Sequence, residues 1–556
     1  MFDPTHQSAS LPIVMTVSVP HEATPARDPR NLSKLRQVLE FVRRSQHPAD
    51  AWLVGGCVRD WLLHRNTNDL DLVVPKGAIP LARAVADAFG GGFFVLDQER
   101  DVARAIVRDT EERTLEVDVA RLRGTELLVD LSLRDFTINA MAVPIADTAS
   151  LLDSAPAGRS SFAEIIDPFG GRSDLTQGVI RAVTEGAFLD DPLRMLRAVR
   201  QAAELGFRIE GATYNLIRRD SPLLTAAASE RVRDELVRML ALPYGGGWHH
   251  LRVLQDAGLL VQVLPEVAAM AGVAQSPPHY QDVFDHTRSV LAHLEGLYSL
   301  IWPASDLRIP EPMTEESLPI LDDAAWSDLA EVIEPYRTEL RTHLLAPVSE
   351  GRSRRDWLAW AALAHDWGKP DTRLVEGALS GLSSGQTRFL GHDDRGATLV
   401  EARLRALHMS ADEVGHIARL VRLHMRPGYL SHEHPPSRRA VYRFFREAAG
   451  TGPDCVVLSL ADFAAIYAGN PVLEQWDRRL ATAGLLFDTY FRHRSERVHP
   501  PPLLDGRQLM SRFGLAPGPL VGILLEGLRE AQAAGEVTNL EEALGWLAQQ
   551  VHRGGS

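Results

Sequence analysis

The sequence is poor in cysteine and lacks both long apolar runs and a secretory signal. Its two cysteines, Cys57 and Cys455, cannot form a disulfide framework, which is typical of proteins from a reducing cytoplasm. No stretch approaches the roughly eighteen consecutive apolar residues of a membrane-spanning helix. The N-terminus carries Asp3 and lacks the basic segment of a signal peptide. We therefore expect a cytoplasmic protein without a membrane partner.

An excess of positive charge is also missing, although the charge is unevenly distributed. The formal net charge is −14 at pH 7, and residues 306–341 contribute −7 of it, with ten acidic and three basic residues. Residues 194–238, in contrast, hold nine arginines. Because phosphate groups respond to local charge, the acidic total does not exclude a nucleic-acid partner.

The length and composition indicate a globular protein of several domains. The chain has 556 residues, 45% of them hydrophobic and 24% charged, which predicts three or four domains. Residues 1–30 are rich in Pro, Ser and Thr without hydrophobic periodicity, and a disordered tail is predicted there. The folded part is therefore expected to begin near residue 31.

Residues 53–74, LVGGCVRDWLLHRNTNDLDLVV, combine the features of a nucleotide site. A short apolar strand ends at Gly55 and Gly56, where two glycines let backbone N–H groups face a ligand. A helix-periodic segment follows, and then a strand on which Asp69 and Asp71 share one face. Two adjacent carboxylates repel each other unless a cation lies between them, and oxygen ligands suit Mg²⁺ with substrate phosphates. The alternative for each piece alone is an ordinary turn and a solvated edge strand.

This segment resembles motif A of the class II tRNA nucleotidyltransferases and bacterial poly(A) polymerases, which belong to the polymerase-beta superfamily. Three further segments resemble later parts of that family: LRDFTINAMA at 133–142, DDPLRMLR at 190–197 and a neck helix at 230–240. The resemblance implies nucleotidyl transfer to the 3′ end of tRNA without a nucleic-acid template. CTP would be the substrate for CC addition, and ATP a second substrate if A is added as well.

The resemblance also assigns the catalytic carboxylates. Asp69 and Asp71 would bind Mg²⁺. Asp118 would assist the attacking hydroxyl, because DVARLR places an acid five positions before Arg123, as in the family. Glu116, which shares a strand face with Asp118, is the alternative third carboxylate. Without the motif context, an exposed charged strand face would explain both acids.

Further motif residues are implied to contact the nucleotide. They are Gly55, Gly56, Arg59, Asp60, Arg134, Asp135, Asn139, Asp191, Arg194 and Arg197. The first four belong to the phosphate turn and the next three to a ribose motif, in which Leu133 replaces the family's first arginine. Asp191 and Arg194, three positions apart on a predicted helix, would project together and read the Watson–Crick edge of C or A. A weak surface ion pair is the alternative for these two residues.

The short link between two motifs bears on the number of nucleotides added. Only twelve positions separate Arg123 from Asp135. Full CCA-adding and A-adding members of the family usually carry a longer flexible loop here, and CC-adding members resemble this sequence in lacking it. The link therefore favours CC addition, with a separate A-adding enzyme acting on the same tRNA, and CCA addition is the alternative.

A second site is predicted from the histidines. Residues 365–369, HDWGK, resemble the signature of HD-domain phosphohydrolases. The implied ligands of a divalent transition metal (Mn, Ni, Co, Fe or Zn) are His286, His365, Asp366, His392, His424 and Asp462. The resemblance implies phosphatase or 2′,3′-cyclic phosphodiesterase activity. A degenerate HD domain without activity is the alternative.

The predicted fold class is α+β, with a polymerase-beta-like head of a mixed sheet and helices followed by all-α neck, HD and C-terminal regions. The predicted domains are a head at 31–150, a nucleotide-selecting neck at 151–275, an HD domain at 276–475 and a C-terminal tRNA-binding region at 476–556. Within the HD domain, residues 302–349 are predicted to form an inserted, solvated loop that carries the acidic run. Two other functions are open: a poly(A) polymerase, and an HD phosphohydrolase whose head only binds RNA.

Overall fold

The computed structural model describes two compact units, residues 1–227 and 228–556. The residues described are 29–45, 51–108, 114–148, 165–241, 246–303, 318, 320–349, 351–375, 386–433, 435–468 and 473–554. The predicted tail lies outside them except for its last two residues, which begin the first helix. Within the described residues no single helix is long and apolar enough to cross a membrane. One bent pair, Arg438–Ala448 with Gly452–Tyr467, meets the length and composition requirement only when both helices are combined.

A mixed sheet forms the centre of unit 1. Its strands are β1 (Trp52–Val54), β2 (Asp69–Val74), β3 (Gly92–Asp97), β4 (Val102–Arg108), β5 (Thr114–Arg121) and β6 (Ala142–Pro144). They lie in the order β3–β4–β5–β2–β1–β6. Strands β2 and β5 run parallel, and the other neighbours are antiparallel. The strands predicted before Gly55, at Asp69 and Asp71, and at Glu116 and Asp118 are confirmed.

Helices surround the sheet and complete unit 1. They are α1 (Pro29–Arg44), α2 (Gly56–Leu62), α3 (Ala78–Phe89), α4 (Leu127–Ser132), α5 (Gly171–Gln177), α6 (Ala187–Asp190), α7 (Arg194–Leu205) and α8 (Gly211–Asp220). Two short strands, β7 (Val179–Ile180) and β8 (Arg208–Ile209), pair in parallel. Helix α3 packs against β4 and β5.

Alternation along β4 and β5 divides the sheet into an apolar and a charged face. Ala103, Ala105, Val117 and Val119 are fully buried. The residues between them point to the opposite face, because successive strand side chains alternate. That opposite face carries the candidate catalytic carboxylates.

Unit 2 is almost entirely helical. Its helices are α9 (Ser229–Leu240), α10 (Gly246–Asp256), α11 (Leu260–Val263), α12 (Pro265–Ala268), α13 (Val283–Ile301), α14 (Asp323–Ile333), α15 (Arg337–Leu345), α16 (Arg354–Ala364), α17 (Lys369–Thr372), α18 (His392–Ala406), α19 (Ala411–Leu423), α20 (Arg426–Leu430), α21 (Arg438–Ala448), α22 (Gly452–Tyr467), α23 (Leu473–Phe491), α24 (Gly506–Phe513), α25 (Pro519–Ala534) and α26 (Leu540–Gly554). Its strand pairs are β9 (Pro347–Ser349) with β10 (Arg352–Ser353), and β11 (Arg373–Val375) with β12 (Thr387–Phe389). The α+β class predicted from the sequence is confirmed.

Two apolar cores organise unit 2. Helix α13 packs against α16 and α22, and Trp357 and Trp360 of α16 are almost fully buried in this region. The last three helices, α24–α26, enclose a separate core around Leu509, Leu528 and Leu547. The short amphipathic helices predicted for the C-terminal region are therefore present.

The acidic segment corrects one prediction. Residues 302–349 were expected to form a solvated loop, but their described part folds into α14 and α15. Leu329, Ile333, Leu340 and Leu344 are fully buried. The pairs 329–333 and 340–344 each lie four positions apart, so each helix presents an apolar stripe while its acids occupy other faces.

Candidate functional site

Register places four carboxylates on one face of the sheet in unit 1. In the parallel pair of β2 and β5, Asp69 lies beside Glu116 and Asp71 beside Asp118. Burial, followed by the nearby negative charges of Asp118 and Asp69, raises the pKa of Asp71 to about 6 against the opposing effect of Arg134. An all-oxygen donor set in which a buried acid is destabilised by its neighbours fits a hard cation such as Mg²⁺.

The three predicted catalytic carboxylates share this face but do not converge on one point. Within the described residues, the groups of three acids, cysteines or histidines whose ligand atoms lie within 4.8 Å of one another are both in unit 2. The side chain of Asp118 is instead engaged by a neighbouring strand. The roles of Asp69, Asp71 and Asp118 stay predictions.

Arg104 is a site residue that the sequence reading missed. It lies opposite Asp118 in the antiparallel pair of β4 and β5. Its Nε donates to Asp118 Oδ1 at 2.7 Å and its Nη2 to Oδ2 at 2.8 Å, and it also pairs with Glu116. These hydrogen bonds raise the pKa of Arg104. The alternation along β4 indicated this position, because Arg104 is a charged residue between the apolar Ala103 and Ala105.

The glycine turn lies against the carboxylates. Gly55 has φ of 79°, a conformation that favours glycine. A β-carbon at Gly55 would lie 2.8 Å from Asp71 Oδ2 and 3.0 Å from Arg134 Nη1. The chain can therefore turn this close to Asp71 only without a side chain at position 55. Gly56 begins α2, which directs Arg59 and Asp60 toward the following motifs.

Arg59, Asn139, Asp135 and Arg197 form one continuous hydrogen-bond network. Arg59 Nη1 donates to Asn139 Oδ1 at 2.9 Å, and Asn139 Nδ2 donates to Asp135 Oδ1 at 2.9 Å. Arg197 Nε donates to Asp135 Oδ2 at 2.9 Å. Burial alone would raise the pKa of Asp135, but the charge of Arg197 and the bond from Asn139 lower it to about 2. The structure thus brings four of the predicted nucleotide-contacting residues together.

One neighbour of this network, Gln201, was not predicted from the sequence. Gln201 Oε1 accepts from Asn139 Nδ2 at 3.1 Å and from Arg59 Nη1 at 3.4 Å. Asp60 pairs with Arg59 at 2.9 Å and so constrains the same guanidinium. Gln201 lies on α7, one helical turn beyond Arg197, so its spacing was the available signal.

Asp130 is another residue that was not predicted from the sequence, and it lies within the short link between Arg123 and Asp135. It is 1% exposed and lies on α4. Its carboxylate accepts from Arg123 Nε at 3.0 Å and pairs with Arg134 Nη2 at 3.1 Å. Burial opposes ionisation, but the charges of Arg134 and Arg123 outweigh it and lower the pKa of Asp130. The link between Arg123 and Asp135 therefore contains a helix, α4, that is held in place by the ion pairs of Asp130.

The geometry expected for Asp191 and Arg194 is wrong in one respect. Asp191 directly follows α6 and is extended, with φ of −149° and ψ of 100°, whereas Arg194 is the first residue of α7. The two side chains therefore do not project from one helix. Arg194 donates to Leu133 O at 2.7 Å and to Ala187 O at 3.1 Å. Burial lowers the pKa of Arg194, while the charges of Asp135 and Asp191 oppose that shift.

The six predicted HD ligands meet in the interior of unit 2. They come from α13, α18, α22 and the ends of α16 and α19, and they are His286, His365, Asp366, His392, His424 and Asp462. They form two overlapping groups that share Asp366, one with His286 and His365 and the other with His392 and His424. Asp462 joins the first group, because its Oδ1 lies 3.0 Å from His286 Nε2.

Backbone carbonyls orient three of these histidines. Nδ1 of His365, His392 and His424 lies 2.6–2.8 Å from the carbonyl oxygen three residues earlier in each case. A proton on Nδ1 that is donated to this carbonyl leaves Nε2 unprotonated and directed at the cluster. His365 Nε2 lies 3.1 Å from Asp366 Oδ2, and His392 Nε2 lies 3.6 Å from Asp366 Oδ1. This arrangement of nitrogen and carboxylate donors fits a divalent transition metal.

The pKa values of His424 and Asp366 favour the binding of a metal cation by the cluster. Burial lowers the pKa of His424 to about 4, with the positive charges of His365 and His392 adding to the effect. Burial opposes ionisation of Asp366, yet the charges of His365 and Lys369 bring its pKa well below the ordinary value. Neutral His424 beside ionised Asp366 is the protonation state that binds metal. At His365, burial opposes protonation, but the charge of Asp366 outweighs it and raises the pKa.

Lys369 and His279 also border the cluster, although neither was predicted as a site residue. Lys369 Nζ lies 2.7 Å from Asp366 Oδ2 and donates to Gln275 Oε1 at 2.7 Å. The rings of His279 and His286 lie 4.9 Å apart between centroids. Burial, and then the charge of His286, lowers the pKa of His279 to about 3. Lys369 was part of the HDWGK motif, which was the signal for it.

Known families match three parts of the chain. Residues 51–181 match the family described as "Poly A polymerase head domain", and residues 206–270 match "Probable RNA and SrmB- binding site of polymerase A". Residues 332–462 match "HD domain". The head match contains the carboxylate face, and the HD match contains every predicted ligand of the second site except His286.

Curated relatives match most of the chain. The CC-adding tRNA nucleotidyltransferase of Geobacter sulfurreducens is 32% identical over 90% of this chain and 92% of its own length. The chain belongs to the tRNA nucleotidyltransferase family. The A-adding tRNA nucleotidyltransferase of Deinococcus radiodurans is equally similar, at 32% identity over 89% of this chain and 94% of the relative. Family membership thus makes this chain a nucleotidyltransferase with an HD domain, while both addition specificities occur among its relatives.

Solved structures agree with the fold. An apo CCA-adding enzyme superimposes with a TM-score of 0.57 and 18% identity, covering 94% of this chain and 95% of the other. The Thermotoga maritima CCA-adding enzyme complexed with tRNA gives a TM-score of 0.51 and 19% identity, covering 95% and 97%. At these identities the similarity confirms the fold alone.

Proposed function

We propose that this tRNA nucleotidyltransferase adds CC to the 3′ end of tRNA from CTP. The observation that supports CC addition is the short link between Arg123 and Asp135. Helix α4 fills this link, and the buried Asp130 holds Arg123 and Arg134 on both sides of it. A short helix held by these ion pairs is not the long flexible loop that the resemblance associates with the addition of A.

The reaction follows from the carboxylate face. Mg²⁺ held by Asp69 and Asp71 would neutralise the triphosphate and promote ionisation of the attacking hydroxyl. The 3′ oxygen of tRNA forms a bond to the α-phosphorus, and the bond from that phosphorus to the bridging oxygen breaks. Pyrophosphate leaves with the electron pair, and the hydroxyl proton passes through Asp118 to solvent. Arg104 holds Asp118 in position for this transfer.

The remaining residues position the nucleotide. Backbone groups at Gly55 and Gly56 would face the phosphates, where the chain turns beside Asp71. The network of Arg59, Asn139 and Asp135 would fix the ribose. Asp191 and Arg194, at the junction of α6 and α7, offer an acceptor and donors for the edge of the base, and this pairing does not require them to share a helix.

Primer extension tests the proposal. tRNA transcripts ending before CCA, after the first C and after CC are incubated with CTP, ATP or both, and the products are sized at single-nucleotide resolution. CC addition predicts two nucleotides from CTP and no extension of the CC-ended tRNA by ATP. Completion to CCA would refute CC specificity, and long A tails would identify the poly(A) polymerase alternative. Asp71→Asn should abolish incorporation, whereas the exposed Asp87→Asn should not.

A CC-adding enzyme needs a partner activity. Its product ends in CC, so a separate A-adding enzyme must act on the same tRNA to complete the acceptor end. Adding a purified A-adding enzyme to the extension assay should convert the CC product to CCA. If this chain completes CCA alone, that partner is unnecessary.

The HD cluster supports a second activity, hydrolysis of phosphate esters at RNA ends. The observation in its favour is the convergence of six nitrogen and carboxylate donors in the interior of unit 2. The assay is hydrolysis of a 2′,3′-cyclic phosphate by metal-free protein supplied with Mn²⁺, Ni²⁺, Co²⁺, Fe²⁺ or Zn²⁺. Asp366→Asn should abolish hydrolysis, and Asp371→Asn, a nearby exposed acid paired with Arg395, should leave it intact. Absence of hydrolysis with every metal would favour a degenerate HD domain.

A further inference from the structure

Arg479 is a half-buried cation that forms no ion pair within the described residues. It lies on α23, a helix that carries none of the six HD ligands. Among the described residues, no carboxylate lies within ion-pair distance of its guanidinium, whereas the adjacent Arg478 pairs with Glu474. A partly desolvated guanidinium that makes no charge pair is costly to bury. Its position therefore calls for an explanation.

The surroundings hold the Arg479 guanidinium in place without neutralising it. It lies over the ring of Phe463, with 4.7 Å between the guanidinium carbon and the ring centroid. A β-carbon at Gly428 would collide with it, so the glycine on α20 provides the space that it occupies. Burial lowers the pKa of Arg479, and the charges of Asp462 and Tyr429 only partly oppose this. In the described part of the chain, this guanidinium thus makes a cation–π contact and no hydrogen bond.

Of the two residues that border the guanidinium, Phe463 lies on a helix that carries an HD ligand, and Gly428 lies on the short helix that follows another ligand. Phe463 directly follows Asp462 on α22. Gly428 lies four residues after His424, on the short helix that continues from α19. The segments that supply Asp462 and His424 therefore also border Arg479, and the charge of Asp462 acts on its guanidinium. A cation here repels a bound metal slightly, so metal binding does not explain it.

We propose that Arg479 binds the phosphoryl group of the substrate hydrolysed at the HD site. This inference rests on the proposed phosphohydrolase activity of the same site. A guanidinium presents several donors in one plane, which matches two phosphoryl oxygens, and such a pair is strengthened where water is partly excluded. The substrate class is a phosphate ester, either a monoester or a cyclic diester.

The hydrolytic step assigns Arg479 a binding role. A water oxygen forms a bond to phosphorus, and the ester P–O bond breaks with its electron pair on the leaving oxygen. One water proton ends on that oxygen, and the other goes to solvent or stays on the phosphate product. Arg479 neutralises phosphoryl oxygens throughout, and it neither gains nor loses a proton.

Inorganic phosphate is the probe for this role. Isothermal titration of the full-length, Mn²⁺-loaded protein measures the phosphate Kd for the native chain, Arg479→Gln, Arg479→Lys and the matched control Arg478→Gln. We expect Arg479→Gln to weaken phosphate binding about 10- to 100-fold, the usual effect of losing a charge-assisted hydrogen bond. Arg479→Lys should lie between the two, and Arg478→Gln should match the native protein.

Two further readouts separate a binding role from structural damage. Mn²⁺ affinity and the melting temperature of Arg479→Gln should equal or exceed native values, because a buried unpaired charge is removed. With p-nitrophenyl phosphate as monoester and bis(p-nitrophenyl) phosphate as diester, KM should rise more than kcat falls, and the substrate more affected identifies the ester class. Native-like phosphate binding by Arg479→Gln, or a parallel loss of phosphate and Mn²⁺ binding, would overturn the inference.

These measurements distinguish two kinds of failure. If the native protein hydrolyses neither ester with any metal, the proposed phosphohydrolase activity fails. The phosphate Kd of Arg479→Gln still decides the inference in that case, because binding of the probe does not require turnover. A native protein that binds no phosphate at all would refute the role of Arg479 directly.

Discussion

At the scale of single residues, Arg104 partly compensates the negative charge of four neighbouring carboxylates on the sheet. It makes two hydrogen bonds to Asp118 and also pairs with Glu116, while Asp71 carries a raised pKa. One arginine therefore offsets the charge of Asp118 and Glu116 on β5. Such a supporting residue orients a functional carboxylate without touching the substrate.

Arg104→Gln should lower kcat for nucleotide incorporation by about 10- to 100-fold, the usual cost of losing a supporting contact at a metal site. Asp118 would lose its fixed orientation, while the more negative face should bind Mg²⁺ at equal or lower concentration. Steady-state incorporation measured across a Mg²⁺ titration tests both effects. Arg100→Gln, an exposed arginine just before β4, is the matched control. An unchanged kcat would show that Asp118 needs no support or has no role.

His293 provides a second prediction at this scale. It is 1% exposed, its Nδ1 lies 2.7 Å from Ser289 O, and its ring stacks with Trp326 at a centroid distance of 6.0 Å. Burial lowers the pKa of His293 to about 4. The unfolded state therefore binds more protons between about pH 4 and 6.5, so the stability contributed by neutral His293 is present above pH 6.5 and is lost as the pH falls toward 4.

Acidification should consequently loosen the contact of α14 with α13. Hydrogen exchange of residues 323–333 should quicken between pH 7.5 and pH 5 after correction for the intrinsic rate. His293→Phe, which keeps an aromatic ring but cannot be protonated, should reduce this extra acceleration. His408→Phe at an exposed position is the control. The full effect at low pH is up to about 3 kcal/mol, and equal acceleration in His293→Phe would contradict the assignment.

At the scale of elements, the sequence predicted most of the sheet and missed where one helix begins. Period-2 alternation located β2 and β5, because one face of each strand is apolar and buried. The sequence also explains why Asp191 does not belong to the helix that begins at Arg194. The residue before a proline is disfavoured in the helical conformation, and Asp191 precedes Pro192. Asp191 is accordingly extended, and α7 starts at Arg194.

The acidic segment was misread for a related reason. Its charge of −7 indicated a solvated loop, but Ala325, Leu329 and Ile333 recur at four-residue intervals and form a buried stripe. Charge alone describes the outer surface of a helix, whereas the spacing of the few apolar residues reports burial. Arg104 and Gln201 were missed differently, because their roles depend on strand register or on partners distant in sequence. Asp130 has no such reason, since its partners Arg134 and Arg123 lie only four and seven positions away.

The C-terminal helices attach to α21 largely through charge. Glu530 on α25 accepts from Arg443 at 2.7 Å and from Arg439 at 3.3 Å, and Glu526 pairs with Arg446 at 3.0 Å. Because these helices also have their own apolar core, their fold does not depend on the attachment. The arginines are partly exposed, so each pair contributes modestly and is weakened by salt.

Glu530→Gln should therefore loosen α25 from α21 without unfolding the C-terminal helices. We expect a loss of about 1 kcal/mol, because the acid is mostly buried while its arginines are partly solvated. Hydrogen exchange should quicken in 438–448 and 519–534, and 1 M NaCl should produce a similar change in the native protein. Glu541→Gln, an exposed acid in the first turn of α26, is the control. Unchanged exchange in Glu530→Gln would show that apolar contacts alone hold the helices.

At the scale of the whole molecule, two chemically different sites lie in two compact units. The carboxylate face in unit 1 offers only oxygen ligands, which suit Mg²⁺, whereas the HD cluster in unit 2 mixes imidazole with carboxylate. Mg²⁺ binds weakly to imidazole-rich sites, and a transition metal binds them well. The two activities should therefore depend on different metals and be separable by mutation.

Asp71→Asn should abolish nucleotide incorporation and leave ester hydrolysis at the native rate, and Asp366→Asn should do the reverse. Each substitution removes a charged donor from one cluster, and no residue of one cluster belongs to the other. Both variants are assayed for both reactions, with Mg²⁺ alone, with Mn²⁺ alone and with both ions. Incorporation by Asp71→Asn would refute the catalytic assignment of β2. Loss of incorporation in Asp366→Asn would instead mean that the HD cluster supports the head, and the two sites would then have to be treated as one energetic unit.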